Sequence, residues 1–334
     1  KQCAKFMIRR ITKIALRKIG LRKNRNTKET ENKVAVQKDV GIRDRKELIK
    51  ALTKDPLNKN LHLKYADYAS RAGNYYLAYA ELKTAEALGA ERNTVEGKLS
   101  KLRQSIPSLK RMSHNQYFRL FSLASEIINR AGGSNISVLD VGGGNGKLAS
   151  FIPDASYCLA EPKVNGISGT NLPFADHSFD YVVSCHVLEH IPVRERVVFL
   201  NQLLSKAKRG VILLNPFYIK GTYVEERLKL IIKLTNSQWA KEHLDCTLPK
   251  IQDIEQYARG KGLEICIRPN GTMTTSMAFV IINYFAAKSG FRKELKELNT
   301  FFNEKFTEIL DSKEYPNAYL IYLGWPEAKG SVNN

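Results

Sequence analysis

The chain is 334 residues long, 43% hydrophobic and strongly basic, with a formal net charge of +20. That length and apolar content suit two domains with a real core. No apolar run reaches the roughly 18 residues that a membrane span requires. Its five cysteines (Cys3, Cys158, Cys185, Cys246 and Cys266) form no CxxC pair, which excludes a metal finger and fits free thiols in a cytoplasmic protein.

Residues 1–44 form the first region: a basic amphipathic helix followed by a linker. Ile8, Ile11, Ala15 and Ile19 fall at helical spacing among Arg9, Arg10, Lys13, Arg17 and Lys18. A narrow apolar stripe with cations around it predicts a helix over residues 4–22 lying on an anionic membrane surface, hence a peripheral place at its inner face. A solvated basic tail is the alternative. The chain begins at Lys1 rather than Met, so an earlier start is expected, and its basic front lacks the continuous apolar core of a secretory signal.

Residues 45–112 read as a second, helical region rich in Leu, Ala and Tyr. Tyr65, Ala66, Gly73, Tyr75, Ala78 and Ala85 reproduce the spacing of one tetratricopeptide-like unit, with the turn at Gly73-Asn74. One unit cannot bury its own face. Residues 47–109 are therefore expected to pack on their neighbours or on a protein partner. A helix from Tyr117 to Ala131, stopped by Gly132-Gly133, leads into the third region, 113–330.

That region opens on Val138-Leu139-Asp140-Val141-Gly142-Gly143-Gly144-Asn145-Gly146. An apolar strand ends in a glycine turn, where a missing Cβ permits positive φ and close approach of a ligand. The spacing departs from the Gly-x-Gly-x-x-Gly of dinucleotide sites, with Lys147 in the third position. Asp140 would repel a pyrophosphate but suits a ligand bearing an ammonium and a sulfonium. A helix is expected to start near Asn145. Glu161 closes the apolar run Tyr157-Cys158-Leu159-Ala160 and is placed to accept ribose hydroxyls. Asn171-Leu172-Pro173-Phe174 gives a loop, and Phe179 to Ser184 a further strand, followed by His186-Val187-Leu188-Glu189-His190.

In this order and spacing the parts resemble the class I S-adenosylmethionine-dependent methyltransferases with a Leu-Pro-Phe loop and a Leu-Glu-His segment. The resemblance runs from about 115 to 323. It implies a Rossmann-like, seven-stranded α/β sheet with helices on both faces, beside the N-terminal α-helical region. A third strand is expected around 166–170, strand five at Val211–Leu214, strand six at Leu263–Ile267 and an antiparallel last strand at Tyr319–Leu323. Helical insertions are expected near 222–245 and 273–312.

The implied cofactor is S-adenosylmethionine, held by Asp140, Gly142, Gly143, Gly144, Asn145, Gly146, Glu161, Asn171, Leu172, Ser184 and Cys185. Ser168 stands where the group often has an adenine-binding Asp. His186 or His190 would act as general base, and Tyr218, Trp239 and His243 would contact the acceptor. In some relatives a Glu-x-x-Glu-His motif holds a metal; here His186 replaces the first Glu, and no metal is expected. The charge surplus sits in front: residues 134–334 hold 23 Lys/Arg against 21 Asp/Glu, whereas residues 1–50 hold 17 against 5. A nucleic-acid acceptor is therefore disfavoured. The expected function is methyl transfer to a small-molecule or glycan acceptor, with O-methylation in surface-polysaccharide or lipid-linked glycan biosynthesis preferred. Methylation of RNA or of a quinone precursor, and a scaffold retaining the fold without turnover, are the alternatives.

Overall fold

In the computed structural model, residues 45–133, 135–307 and 315–326 are described, and they fall in one compact unit beginning at Asp44. The helix expected over 4–22 and the linker after it lie outside them. No helix of the described residues is long and apolar enough to cross a membrane.

Residues 45–54 form α1. It is followed by α2 (Lys59–Arg71), α3 (Tyr75–Ala87), α4 (Arg92–Arg103) and α5 (His114–Ala131). The strands are β1 (Ser137–Val141), β2 (Ser156–Ala160), β3 (Phe179–Cys185) and β4 (Ala207–Asn215), then β5 (Glu264–Thr272) and β6 (Pro316–Gly324). Between them come α6 (Arg196–Lys206), α7 (Val224–Thr235), α8 (Gln238–Leu244), α9 (Ile251–Gly260), α10 (Met273–Lys288) and α11 (Arg292–Lys305).

The six strands form one Rossmann-like sheet in the order β2-β1-β3-β4-β6-β5. The first four are parallel, and β6 runs antiparallel to β4 and β5. The pleat sends alternate residues of the central strands into two cores. Val138, Tyr157, Leu159 and Val183 join the core under α2–α5. Leu139, Cys158, Val182 and Leu213 join Phe199, Leu203 and Ile254 of α6 and α9. Burial on both faces explains why these strands read as unbroken apolar runs.

Two expectations are corrected here. The described sheet has six strands, not seven. Around 166–170 the chain makes only an isolated bridge between Ser168 and Asn171. Gly166 has φ of +78°, and a Cβ on Gly169 would overlap Phe199 and Val141. The Asn171 N–H turns back onto Ser168 O at 3.1 Å. A segment bent and wedged in this way cannot extend along a strand. The β2 edge left bare is sealed by side chains. The Leu159 N–H donates to Thr84 Oγ1 at 3.0 Å, and its carbonyl accepts from Asn165 Nδ2 at 2.7 Å. Unpaired edge groups are thus covered within the molecule.

The second correction concerns the turn after β1. The helix expected from Asn145 is only a 3-10 turn, Lys147–Ser150. Its place on the sheet is taken by α3, which packs on β2 and on that turn. Eight residues of α3 are buried, Glu81 and Thr84 among them, because α2 covers one side and the sheet the other. Glu81 Oε2 lies 2.6 Å from His62 Nδ1, while His62 Nε2 reaches Pro56 O at 2.9 Å. Burial alone would lower the His62 pKa, but Glu81 outweighs it and the net shift is upward. The α2–α3 hairpin is one unit spent on the sheet, with Gly73 at φ +74° in its turn.

Candidate functional site

Asp140 is the fourth residue of β1, and the chain then takes positive φ at Gly142, Gly144 and Gly146. The Gly142 N–H donates to Ala160 O at 2.7 Å, pinning the turn to the tip of β2. A Cβ on Gly142 would overlap Val187, one on Gly143 the Asp140 carboxylate, and one on Gly146 the Ala80 methyl. At Gly144 nothing lies within 4 Å of such a Cβ, so bare backbone faces open space there, with Asn145 exposed beside it. Glu161 stands next to that opening: Oε2 accepts the Gly144 N–H and Oε1 the Lys163 N–H, both at 3.1 Å.

Asp140 is almost fully buried beneath the turn. Its Oδ2 accepts a hydrogen bond from the Tyr157 hydroxyl at 2.7 Å. Burial pushes its pKa up to about 7; Tyr157 opposes the shift and the Glu161 charge adds to it. The carboxylate therefore faces Tyr157 and the underside of Gly143. Of the other residues assigned to the donor, Asn171 is exposed and its N–H is taken by Ser168 O. Leu172 is buried with its N–H on Gln202 Oε1 at 3.0 Å. The Ser168 and Thr170 hydroxyls bond each other at 3.0 Å. Ser184 is fully buried, and its hydroxyl has no partner among the described residues. Burial pushes the Cys185 thiol up to about 12, so it stays protonated.

His186 follows the end of β3 with φ of 57°, a left-handed conformation costly for a residue with a Cβ. Its N–H donates to Leu214 O at 2.8 Å. Nδ1 lies 3.2 Å from Glu189 Oε1, and Asn215 Nδ2 donates to Glu189 Oε2. His186 Nε2 is buried without a partner. Burial, and then the charge of Arg119, lower the His186 pKa, so its ring is neutral at neutral pH. A neutral imidazole with one nitrogen set against a carboxylate and the other free has the form of a general base.

That ring lines a cavity of about 700 Å³. The walls come from α5, α7, α8 and α10, so both expected insertions build it. Trp239 and His243 are in the wall. Tyr218 is not: it is 54% exposed, with its backbone held to Pro249 O. His190 is exposed outside the cavity, its Nδ1 3.4 Å from Cys246 Sγ and its ring against His243. Glu189, His190 and His243 each bring a ligand atom within 4.8 Å of the others, a spacing that a divalent ion could bridge. This group contains His243 rather than the His186 of the sequence motif. Missing from the sequence reading are Arg119, Arg227 and His114, which all line the cavity. Only the Asn115/Arg119 spacing along one face of α5 could have signalled the first.

Residues 111–266 match a family model described as a methyltransferase domain. A curated relative, the tRNA (carboxymethyluridine(34)-5-O)-methyltransferase of Saccharomyces cerevisiae, is 32% identical over 89 residues. That match covers 22% of this chain, and the chain spans only 32% of the relative's length. Among solved structures, magnesium protoporphyrin IX methyltransferase from Synechocystis PCC 6803 with bound SAH is 16% identical with a TM-score of 0.37, covering 61% of this chain and 81% of that one. The Haemonchus contortus phosphoethanolamine N-methyltransferase 2 is 16% identical with a TM-score of 0.39, covering 62% and 53%. The open backbone at Gly144, the Glu161 carboxylate beside it and the acid beneath the turn fit a cationic nucleoside donor. The stretch that matches the methyltransferase-domain model, residues 111–266, is just under half of the chain.

Proposed function

We propose that the chain transfers a methyl group to an oxygen of a small-molecule or glycan acceptor, as in surface-polysaccharide or lipid-linked glycan biosynthesis. The observation that carries this reading is the buried His186 Nε2, without a partner among the described residues, on a ring that lines the cavity and is adjacent in the chain to Val187, which touches the glycine turn. The donor supplies an electrophilic methyl on a sulfonium, transferred by in-line displacement. The turn 142–146 and Glu161 hold it, Asp140 adds negative potential from below, and the 171–172 and 184–185 segments close the cleft. His186 Nε2 accepts the acceptor's hydroxyl proton as the new O–C bond forms and the S–C bond breaks. Glu189, with Oε1 3.2 Å from Nδ1, places negative charge beside the imidazolium that forms. Trp239 and His243 position the acceptor, and the apolar walls exclude water, which sharpens both binding and electrostatics.

In this reading α2–α4 act as a cover for the sheet, and residues 4–22 bring the enzyme to an anionic surface. Screening activated-sugar and lipid-linked glycan extracts with labelled donor tests the acceptor class; label appearing only in another class would remove it. Loss of the first 44 residues should abolish sedimentation with anionic vesicles, and unchanged sedimentation would remove the membrane contact.

The yeast relative favours a second reading, an RNA acceptor. Under it, RNA binding should fall steeply with salt even without residues 1–50. Binding confined to that basic front would exclude it.

A further inference from the structure

We infer that the acceptor is an amphipathic anion: a phosphate or carboxylate group on an apolar body, with Arg227 as the principal anchor of the charge. The inference rests on the cavity being the acceptor site.

Among the described residues, the cavity wall contains no Asp or Glu, but it contains Arg119 and Arg227. Elsewhere the half-buried Arg130 pairs with Glu126, and the exposed Arg268 and Arg209 lie against Glu126 and Asp180, while the half-buried Arg196 is spent on the Ile191 and Thr247 carbonyls outside this cavity. Among the described residues Arg227 has no acid within ion-pair distance. Its Nε donates to Thr222 O at 2.8 Å, and the nearby Glu225 is taken by Lys229. Arg119 likewise spends its Nε on Asn115 O, at 3.2 Å. A half-buried guanidinium beside apolar surface loses hydration without a compensating charge, and its planar fork matches a phosphate or carboxylate.

His114 and His186 also line this cavity. His114 Nδ1 donates to Asn303 Oδ1 at 2.8 Å and His186 serves as the base, so the two arginines are left as the charged donors of the wall. The rest of the wall includes Phe118, Ile219, Leu228, Ile231, Phe279 and Val280. That surface offers little to a bare polyol, and much to an alkyl or isoprenoid body whose charged end meets the arginines. Arg119 is close enough to His186 and Cys185 for its charge to act on both, so it sits toward the reacting end. Arg227, on α7, belongs to the insertion alone.

The test titrates the full chain by calorimetry with decyl phosphate, decanoate, decanol and decylamine below their micelle concentrations, and with inorganic phosphate. The decyl anions should bind at least about ten-fold more tightly than decanol, decylamine or phosphate. The preference between the two anions identifies the head group. Arg227→Gln should cost the anions about ten-fold and leave decanol unchanged, while Arg227→Lys should retain most of the affinity. Equal binding of all the decyl compounds, or anion affinity indifferent to Arg227→Gln in a variant with unchanged Tm, overturns the inference. S-adenosylmethionine titrated into the same samples separates the two readings. Loss of donor binding alone would strike the methyltransferase assignment, and loss of anion binding alone would strike this one.

Discussion

Thr84 Oγ1 accepts the Leu159 backbone N–H at 3.0 Å, so a helix from far upstream satisfies the free edge of the sheet. The helical region thereby shares one core with the sheet. Asn165 completes the closure at the Leu159 carbonyl and also reaches Glu81, which pairs with His62.

Replacing Thr84 by Val should leave that buried donor unpaired and cost about 1–3 kcal/mol, read as a lower urea midpoint with an unchanged slope. Thr84→Ser, which keeps the hydroxyl, should lose much less. Equal losses from both would mean that packing, not the hydrogen bond, holds α3 on the sheet.

Asp140 should destabilise the fold at alkaline pH. In the unfolded chain its carboxyl ionises near 3.8, and in the folded chain near 7. Between these values the folded state holds a proton that the unfolded state has released, so stability falls as pH rises and levels off above about 7. At about 1.36 kcal/mol per unit the full effect is roughly 4 kcal/mol. Asp140→Asn should therefore raise Tm by several degrees at pH 8 and by less at pH 5, while weakening donor binding. A Tm gain independent of pH would contradict the placement of this charge.

His186, with its pKa held below the usual 6.5, should show an NMR titration of its ring with a midpoint under that value. Because the base must be deprotonated, methyl transfer should decline as pH drops through the same midpoint. His186→Gln should reduce kcat by about 10²- to 10⁴-fold with donor affinity intact. Unchanged turnover would shift the proton-accepting role elsewhere.

Much of the sheet was legible because a strand buried on both faces must be apolar throughout. The strands at 137–141, 156–160 and 179–185 stand close to where Val138-Leu139, Tyr157-Cys158-Leu159 and the Phe179 run predict them. The glycine turn was legible for a related reason: positive φ at Gly142, Gly144 and Gly146 leaves few other residues possible. The replacement of the first crossover helix by α3 was not legible, since a contact between Thr84 and Leu159 leaves no periodic trace. The failed third strand was also hidden. Gly166 and Gly169 look permissive in sequence, and only the fold, which brings Phe199 from α6 and Val141 from β1 against it, shows that Gly169 is wedged. The cavity's charge was missed because Arg119 and Arg227 come from two helices that only the fold brings to one cavity. Tyr218 was misplaced because an aromatic after a strand reads as a wall residue, whereas here it turns outward.

The account depends most directly on the donor lying against Gly144 and Glu161. Calorimetric titration of the full chain with S-adenosylmethionine tests this, alongside Glu161→Ala and Asp140→Ala. Saturable one-site binding, weakened at least about ten-fold by Glu161→Ala and clearly weakened by Asp140→Ala, is the predicted result. The absence of binding to the intact chain, or binding that both substitutions leave unchanged, would contradict it.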